Sequence, residues 1–269
     1  LAVPVVSFVA LAFGWRYAFV VTGALGFVWV AAWAGFYRLP SEHPRLGEAE
    51  RALILTDSAT EQAPREPVPL SRLLRMPEAW GCILARVLTD PISYFLNFWI
   101  PKYLQAERGF SLADIGRYGW IPFAALAAGN IASGALPRLL IQRGWTLSRA
   151  RKATMLAVSC AMPLLCFAVT RVDSAVWAMV VISALFFGHS AWGNITLPAE
   201  VFPRHVVGTI TGLGGCLGGL AGVLTQIGIG WVVQNLSFAP IFAAISVAYL
   251  VALALVHVLI GELGRVRTT

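Results

Sequence analysis

The sequence predicts an all-α, polytopic transmembrane helical bundle, and three observations carry that prediction. Only 12 % of the 269 residues are charged while 58 % are hydrophobic, about half the charged share of an average soluble domain. The mean hydropathy is +0.74, more apolar surface than a water-soluble chain of this length can bury. The apolar residues fall in continuous runs of about 20 rather than alternating over about 10, which selects helices over a membrane barrel. Soluble enzymes, secreted disulfide scaffolds and disordered chains are excluded together. A net charge of +7 would suggest nucleic acid in a soluble protein. Here the basic residues sit in short connections between apolar runs, where they orient a protein in a lipid bilayer, and no nucleic-acid partner is expected. Cys82, Cys160, Cys166 and Cys216 all lie in apolar runs with no Cys-x-x-Cys or Cys/His grouping. They read as small buried thiols, not as metal ligands or disulfides.

Taken in order, residues 1–13 are apolar but too short to span a bilayer, and they lack the flanks of a signal peptide. With no initiator Met, they read as the tail of a helix that begins before Leu1, and the sequence as a fragment. Seven windows follow, at 17–37, 80–103, 117–141, 154–169, 175–197, 206–233 and 238–260, each near the length needed to cross. The first two are separated by residues 38–79, which hold six basic and seven acidic residues and six prolines. Within that connection, residues 47–55 read as a short amphipathic surface helix and the Pro-rich 63–69 as linker. Ser111-Leu112-Ala113-Asp114 has capping-box spacing at the start of a span. Residues 198–203 (Pro-Ala-Glu-Val-Phe-Pro) are expected to break the chain between two helix ends. The division is then 1–37 as the end of one helical half, 38–79 as a central loop, and 80–269 as a six-helix half.

With the long loop placed in the cytoplasm, 14 basic residues fall inside, among them Arg65, Arg138, Arg151, Lys152, Arg265 and Arg267, against five outside: Arg16, Lys102, Arg108, Arg117 and Arg171. Arg86 is left within the membrane. The positive-inside rule selects this orientation and puts the C-terminus in the cytoplasm.

Charge inside a bilayer is costly and needs a reason. Arg86 and Asp90 lie four residues apart on one helix face, and Ser93 and Asn97 continue the stripe, with Tyr94 beside it. Such a face points to a protein interior or a water-filled cavity. Either the stripe lines a substrate pathway, with Arg86 attracting an anion and Asp90 tuning it, or the pair neutralises itself and locks helix packing. Pro91 removes a backbone donor in mid-membrane and should kink the helix, as happens where transporters bind substrate. Ser183, Ser190 and Asn194 share a face of a later span, near His189 and Trp192. His189 either handles a proton or makes a hydrogen-bonded helix contact, and Trp192 either stacks on a sugar or fills the core. Gly214, Gly215, Gly218, Gly219 and Gly222 contain repeated four-residue spacings, the signature of close helix packing in lipid, and a glycine-lined helix can also flex. Asn130 and Ser133 read as interhelical hydrogen-bonding residues. No nucleophile–base pair, paired intramembrane aspartates or metal motif occurs. No enzyme activity, cofactor or metal is therefore expected. A seven-helix receptor or sensor and a membrane-embedded enzyme are the disfavoured alternatives.

Several motifs together resemble a known family. Gly14-Trp15-Arg16-Tyr17-Ala18-Phe19 with Thr22-Gly23-Ala24-Leu25-Gly26 resembles the junction of the fifth and sixth helices of the major facilitator superfamily. Residues 37–46, ending Glu42-His43-Pro44-Arg45-Leu46, resemble the start of the central loop in its anion:cation symporter branch. Ala85-Arg86-Val87-Leu88-Thr89-Asp90-Pro91 and Phe98-Trp99-Ile100-Pro101-Lys102-Tyr103-Leu104 are similar to the seventh helix of hexuronate transporters. Gly188-His189-Ser190-Ala191-Trp192, Phe202-Pro203-Arg204 and Gly208-Thr209-Ile210-Thr211-Gly212 fit the tenth and eleventh helices. The resemblance implies a two-halved, alternating-access transporter in a bacterial inner membrane, moving a small organic anion such as a sugar acid or hexuronate with a proton as coupling ion. It places Arg86, Asp90, Ser93, Tyr94, Asn97, Ser190, Trp192 and Asn194 on the C-terminal wall of the substrate cavity, and it implies that the main proton-coupling carboxylates and the anion-binding Arg lie mostly in the other half. Within this sequence Asp90 and His189 are the groups that could handle a proton. One departure is Arg138, which stands where the family's inner gating signature carries an acid.

Overall fold

The computed structural model describes residues 2–39, 42–61 and 68–264. Most of the linker expected at 63–69, and Arg65, Arg265 and Arg267 of the charge count, lie outside the described residues. Within those residues every regular element is helical and no strand occurs. The helices are α1 (Ala2–Phe13), α2 (Trp15–Phe36), α3 (Glu48–Glu61), α4 (Leu70–Leu73), α5 (Pro77–Phe98), α6 (Ile100–Arg108), α7 (Leu112–Tyr118), α8 (Trp120–Gln142), α9 (Leu147–Arg171), α10 (Ala175–Ala191), α11 (Leu197–Val201), α12 (Arg204–Asn235) and α13 (Ala239–Ile260), with a 3-10 turn at Asn194–Thr196.

Among the described residues six stretches are long and apolar enough to cross a membrane: Trp15–Phe36, Leu112–Gln142, Leu147–Arg171, Ala175–Val201, Arg204–Asn235 and Ala239–Ile260. The seventh expected span corresponds to α5, which has 22 residues but falls outside that set, because Arg86 and Asp90 depress the hydropathy of any window holding them. Its end also differs. The helix stops at Phe98, Trp99 forms the joint, and α6 begins at Ile100 with Pro101 in its first turn, where a missing N–H costs nothing. The surface helix α3 runs to Glu61, longer than expected. The expected break at 198–203 is present at its end, where extended Phe202 and Pro203 separate α11 from α12, and a second break precedes it. Gly193, at φ 70°, ends the α10 segment, and Pro198 helps to open α11 instead of interrupting the chain.

The chain divides into two compact units, residues 5–68 and residues 69–269 with 1–4. In the first, α2 is apolar all round and buries almost nothing: Phe27 is 80 % exposed and Trp29 66 %. A helix of that kind faces lipid or other protein. In the second unit α5 packs on α12 and α13, α10 packs on α8 and α9, and α9 also packs on α13. Phe95, Tyr103, Phe238 and Phe242 close one end with edge-to-face contacts of 5.3–5.6 Å, the geometry aromatic quadrupoles prefer. The expected capping box is present: Asp114 N–H donates to Ser111 Oγ at 3.1 Å, and Ser111 N–H to Asp114 Oδ2 at 3.0 Å. All four cysteines are free. Cys82 and Cys166 are buried, but Cys160 and Cys216 lie on exposed faces, a correction to their expected burial. An apolar run in lipid supplies both faces of its helix with apolar residues, so hydropathy alone does not separate inside from outside.

Candidate functional site

The polar face of α5 meets the glycine face of α12. Arg86 and Asp90 form the ion pair that an i, i+4 spacing permits, with Nη2–Oδ2 at 2.9 Å and Nε–Oδ2 at 3.0 Å. The guanidinium also reaches across, donating from Nη1 to the Thr211 carbonyl at 3.0 Å. The two side chains keep 19 % and 16 % exposure. Opposite them, a Cβ added at Gly214 would lie 3.0 Å from Arg86 Cδ, and one at Gly215 3.2 Å from Arg86 Nη1. At Gly218 it would run into the Asp90 carboxylate, and at Gly222 into the Tyr94 ring. Residues 86, 90 and 94 therefore seat against glycines 214, 218 and 222 in matching four-residue steps, and the two helices run parallel. Gly219 faces open space and takes no part. Small residues are what let charged and aromatic side chains fit between helices at this approach.

Farther along the stripe, Asn97 turns back on its own helix, its Nδ2 donating to the Ser93 carbonyl at 2.7 Å. Trp99 Nε1 donates to Gln226 Oε1, one turn beyond Gly222 on the same face of α12. Asn194, in the 3-10 turn after the α10 break, donates from Nδ2 to Thr89 Oγ1 at 2.6 Å, and Thr89 in turn donates to the Ala85 carbonyl at 2.8 Å. Asn194 is thus brought beside Asp90 by way of its neighbour Thr89.

The remaining candidates point elsewhere. Trp192 is 1 % exposed, and its Nε1 donates to Ser159 Oγ at 3.0 Å. Ser159 donates to the Tyr249 carbonyl at 3.2 Å, and His189 Nδ1 lies 2.6 Å from the Tyr249 hydroxyl. These four residues join α9, α10 and α13 away from the α5 stripe. Ser190 sits against α8, where a Cβ on Gly129 would come within 2.9 Å of its own Cβ. Ser183 donates within α10 to the Met179 carbonyl at 2.8 Å. Ser133 likewise donates to Asn130 of its own helix, at 2.7 Å.

Sequence reasoning missed a buried ion pair near the α10 break. Arg151 of α9 is 4 % exposed and donates both to Glu200 of α11, by Nε at 3.0 Å and by Nη2, and to the Ser133 carbonyl. Gly193 lets this guanidinium pass close by, since its Cβ would stand 3.1 Å from Arg151 Nη1. The partners are 49 residues apart, so no local spacing announces them. Arg138, where an acid was awaited, is exposed.

Comparison with known proteins decides the family. The Major Facilitator Superfamily model matches residues 1–226. The chain belongs to the major facilitator superfamily. It is 30 % identical over 255 residues to the hexuronate transporter of Escherichia coli K12, covering 92 % of this chain and 58 % of that protein. It is 28 % identical over 278 residues to the probable galactarate/D-glucarate transporter GudP of Bacillus subtilis 168, covering 98 % and 60 %. To the galacturonate transporter of Dickeya chrysanthemi it is 33 % identical over 141 residues, covering 52 % and 41 %. The chain spans about six-tenths of the length of the first two of these relatives. What this major facilitator chain presents between α5 and α12 is a guanidinium and a carboxylate held together, flanked by hydroxyl and amide groups. Such a set offers both charge and hydrogen-bonding groups.

Proposed function

We propose that residues 80–269 form the C-terminal half of an alternating-access transporter for a sugar-acid anion such as a hexuronate, with 38–79 as the cytoplasmic central loop and 1–37 as the end of the other half. The supporting observation is the Arg86–Asp90 pair, half-buried and seated in the α12 glycines, in a chain 30 % identical to a hexuronate transporter. The pair supplies a way to couple a proton to an anion. While Asp90 is ionised, it occupies two of the guanidinium donors of Arg86. A proton on Asp90 removes that competing charge and frees the guanidinium for the substrate carboxylate, which it can bind bidentately. Proton and anion then bind together and leave together. Tyr94, Ser93, Asn97 and Asn194 supply hydrogen-bonding groups for the sugar hydroxyls. Ser190 and Trp192 belong to the supporting walls, and His189, hydrogen-bonded to Tyr249, is the second candidate group for the proton. The charge distribution supports a cytoplasmic C-terminus, and the bacterial relatives support an inner-membrane location. The seven-helix receptor and the membrane enzyme find no support in the family match.

The test is pH-gradient-driven uptake of D-glucuronate and D-galacturonate into proteoliposomes holding the full-length protein that carries this sequence. Uptake of either supports the reading, and no uptake across a panel of sugar acids overturns it. Asp90→Asn is expected to abolish accumulation driven by the gradient while leaving substrate exchange and protein yield in place. A fall in yield alone would show that the pair only locks α5 to α12.

A further inference from the structure

At the end of the bundle where α6 gives way to α7, a cavity of about 670 Å³ opens between α6, α7, α8 and α10, within the roughly 300–1,000 Å³ range of small-ligand sites. Its walls are mostly apolar, and its polar members are Arg108, Asp114, Tyr118 and Ser183. Arg108 is the last residue of α6, which Gly109 ends in a left-handed turn at φ 68°. Its guanidinium is fixed by donating to the Glu107 carbonyl at 3.0 Å and the Val169 carbonyl at 3.1 Å, and it lies 5.2 Å from the Tyr103 ring. Carbonyl oxygens and a ring face answer this charge; among the described residues no carboxylate pairs with it, and its Nε is buried without a partner. A held but unneutralised guanidinium beside a cavity is a place for an anion. Asp114 receives both of its Ser111 hydrogen bonds on Oδ2, so Oδ1 remains to accept from a ligand hydroxyl. The Ser183 hydroxyl keeps its acceptor capacity after donating to Met179.

We infer that this cavity is an entry station for a hydroxylated carboxylate, with Arg108 receiving the carboxylate and Asp114 a hydroxyl, from which the ligand passes to the α5 stripe. The inference rests on the transporter reading above. It gives the site a substrate class, because a carboxylate without hydroxyls uses Arg108 alone. The α6 helix follows α5 directly, and Arg108 lies about three helical turns beyond Asn97, the last residue of the stripe.

Uptake of D-galacturonate by the full-length protein in proteoliposomes tests this. Arg108→Gln is expected to raise KM about tenfold, the loss of one charged hydrogen-bonding partner, with Vmax kept. Arg108→Lys restores part of the loss. Val176→Trp, which fills the cavity without touching the bonds of Arg108, also raises KM, so the question stays answerable if Arg108→Gln accumulates poorly. Arg171→Gln, a cation at the end of α9 that does not line the cavity, leaves KM unchanged. Unaltered KM in both Arg108→Gln and Val176→Trp, beside normal uptake by the unmodified protein, overturns the inference alone. Absence of uptake by the unmodified protein overturns the function on which it rests.

Discussion

At the scale of single residues, two ion pairs among the described residues are treated differently. Arg86 and Asp90 neighbour each other on one helix and retain some exposure, whereas Arg151 and Glu200 come from separate elements and Arg151 is nearly sealed. Removing one partner of a sealed pair strands a charge in low dielectric, at a cost of about 3–5 kcal/mol. Glu200→Gln is therefore expected to lower the melting temperature sharply, measured by scanning fluorimetry in detergent. The double substitution Arg151→Met with Glu200→Leu should recover most of the loss, because it leaves no charge behind. The sequence makes the first pair legible, since i, i+4 spacing on a helix implies contact. It leaves the second hidden. Arg151 looks like any other orienting cation among Arg149 and Lys152, and only the α10 break carries Glu200 to it. Trp192 was ambiguous for a related reason. A tryptophan in an apolar run has the same hydropathy whether it stacks on a ligand or, as here, donates to Ser159 in the core.

At the scale of helices, the glycine spacing in α12 was readable as a packing surface, but not which partner it accepts. The partner is the polar stripe, and that match joins two sequence signals that look independent. The helix ends were less legible. Apolar windows run on through Trp99–Ile100 and through Trp192–Gly193, where Pro101 and the left-handed Gly193 divide what hydropathy joins. A side chain at a glycine seat must push two helices apart, and overpacking of this kind costs roughly 1–3 kcal/mol. Gly222→Leu is expected to lower the melting temperature by separating α5 from α12. Gly219→Leu, facing open space, should be tolerated. Equal losses from both would mean that the glycines of α12 act through helix flexibility instead of through contact with Arg86, Asp90 and Tyr94.

At the scale of the whole molecule, composition and continuous apolar runs were enough to identify an all-α bundle, because lipid leaves few other solutions for a chain with so little charge. The orientation proposed from the basic residues predicts that single cysteines at Arg45 or Arg138, in a protein otherwise free of cysteine, react with a membrane-impermeant maleimide only in inside-out vesicles. A cysteine at Lys102 should react only in right-side-out ones. The reverse pattern would invert the topology and move the Arg108 cavity to the cytoplasmic face. The parallel seating of α5 on α12 bears finally on motion. A slip of one turn, roughly 5–6 Å, would carry Tyr94 onto Gln226 in one direction or Arg86 onto Ile210 in the other. Three glycine seats bounded by two larger residues admit a single register. The two helices are thus coupled in one register as far as the Trp99–Gln226 contact, and rocking that opens a path for a ligand is expected to carry them together, bending the chain at the extended Met76 and Pro203 that precede them.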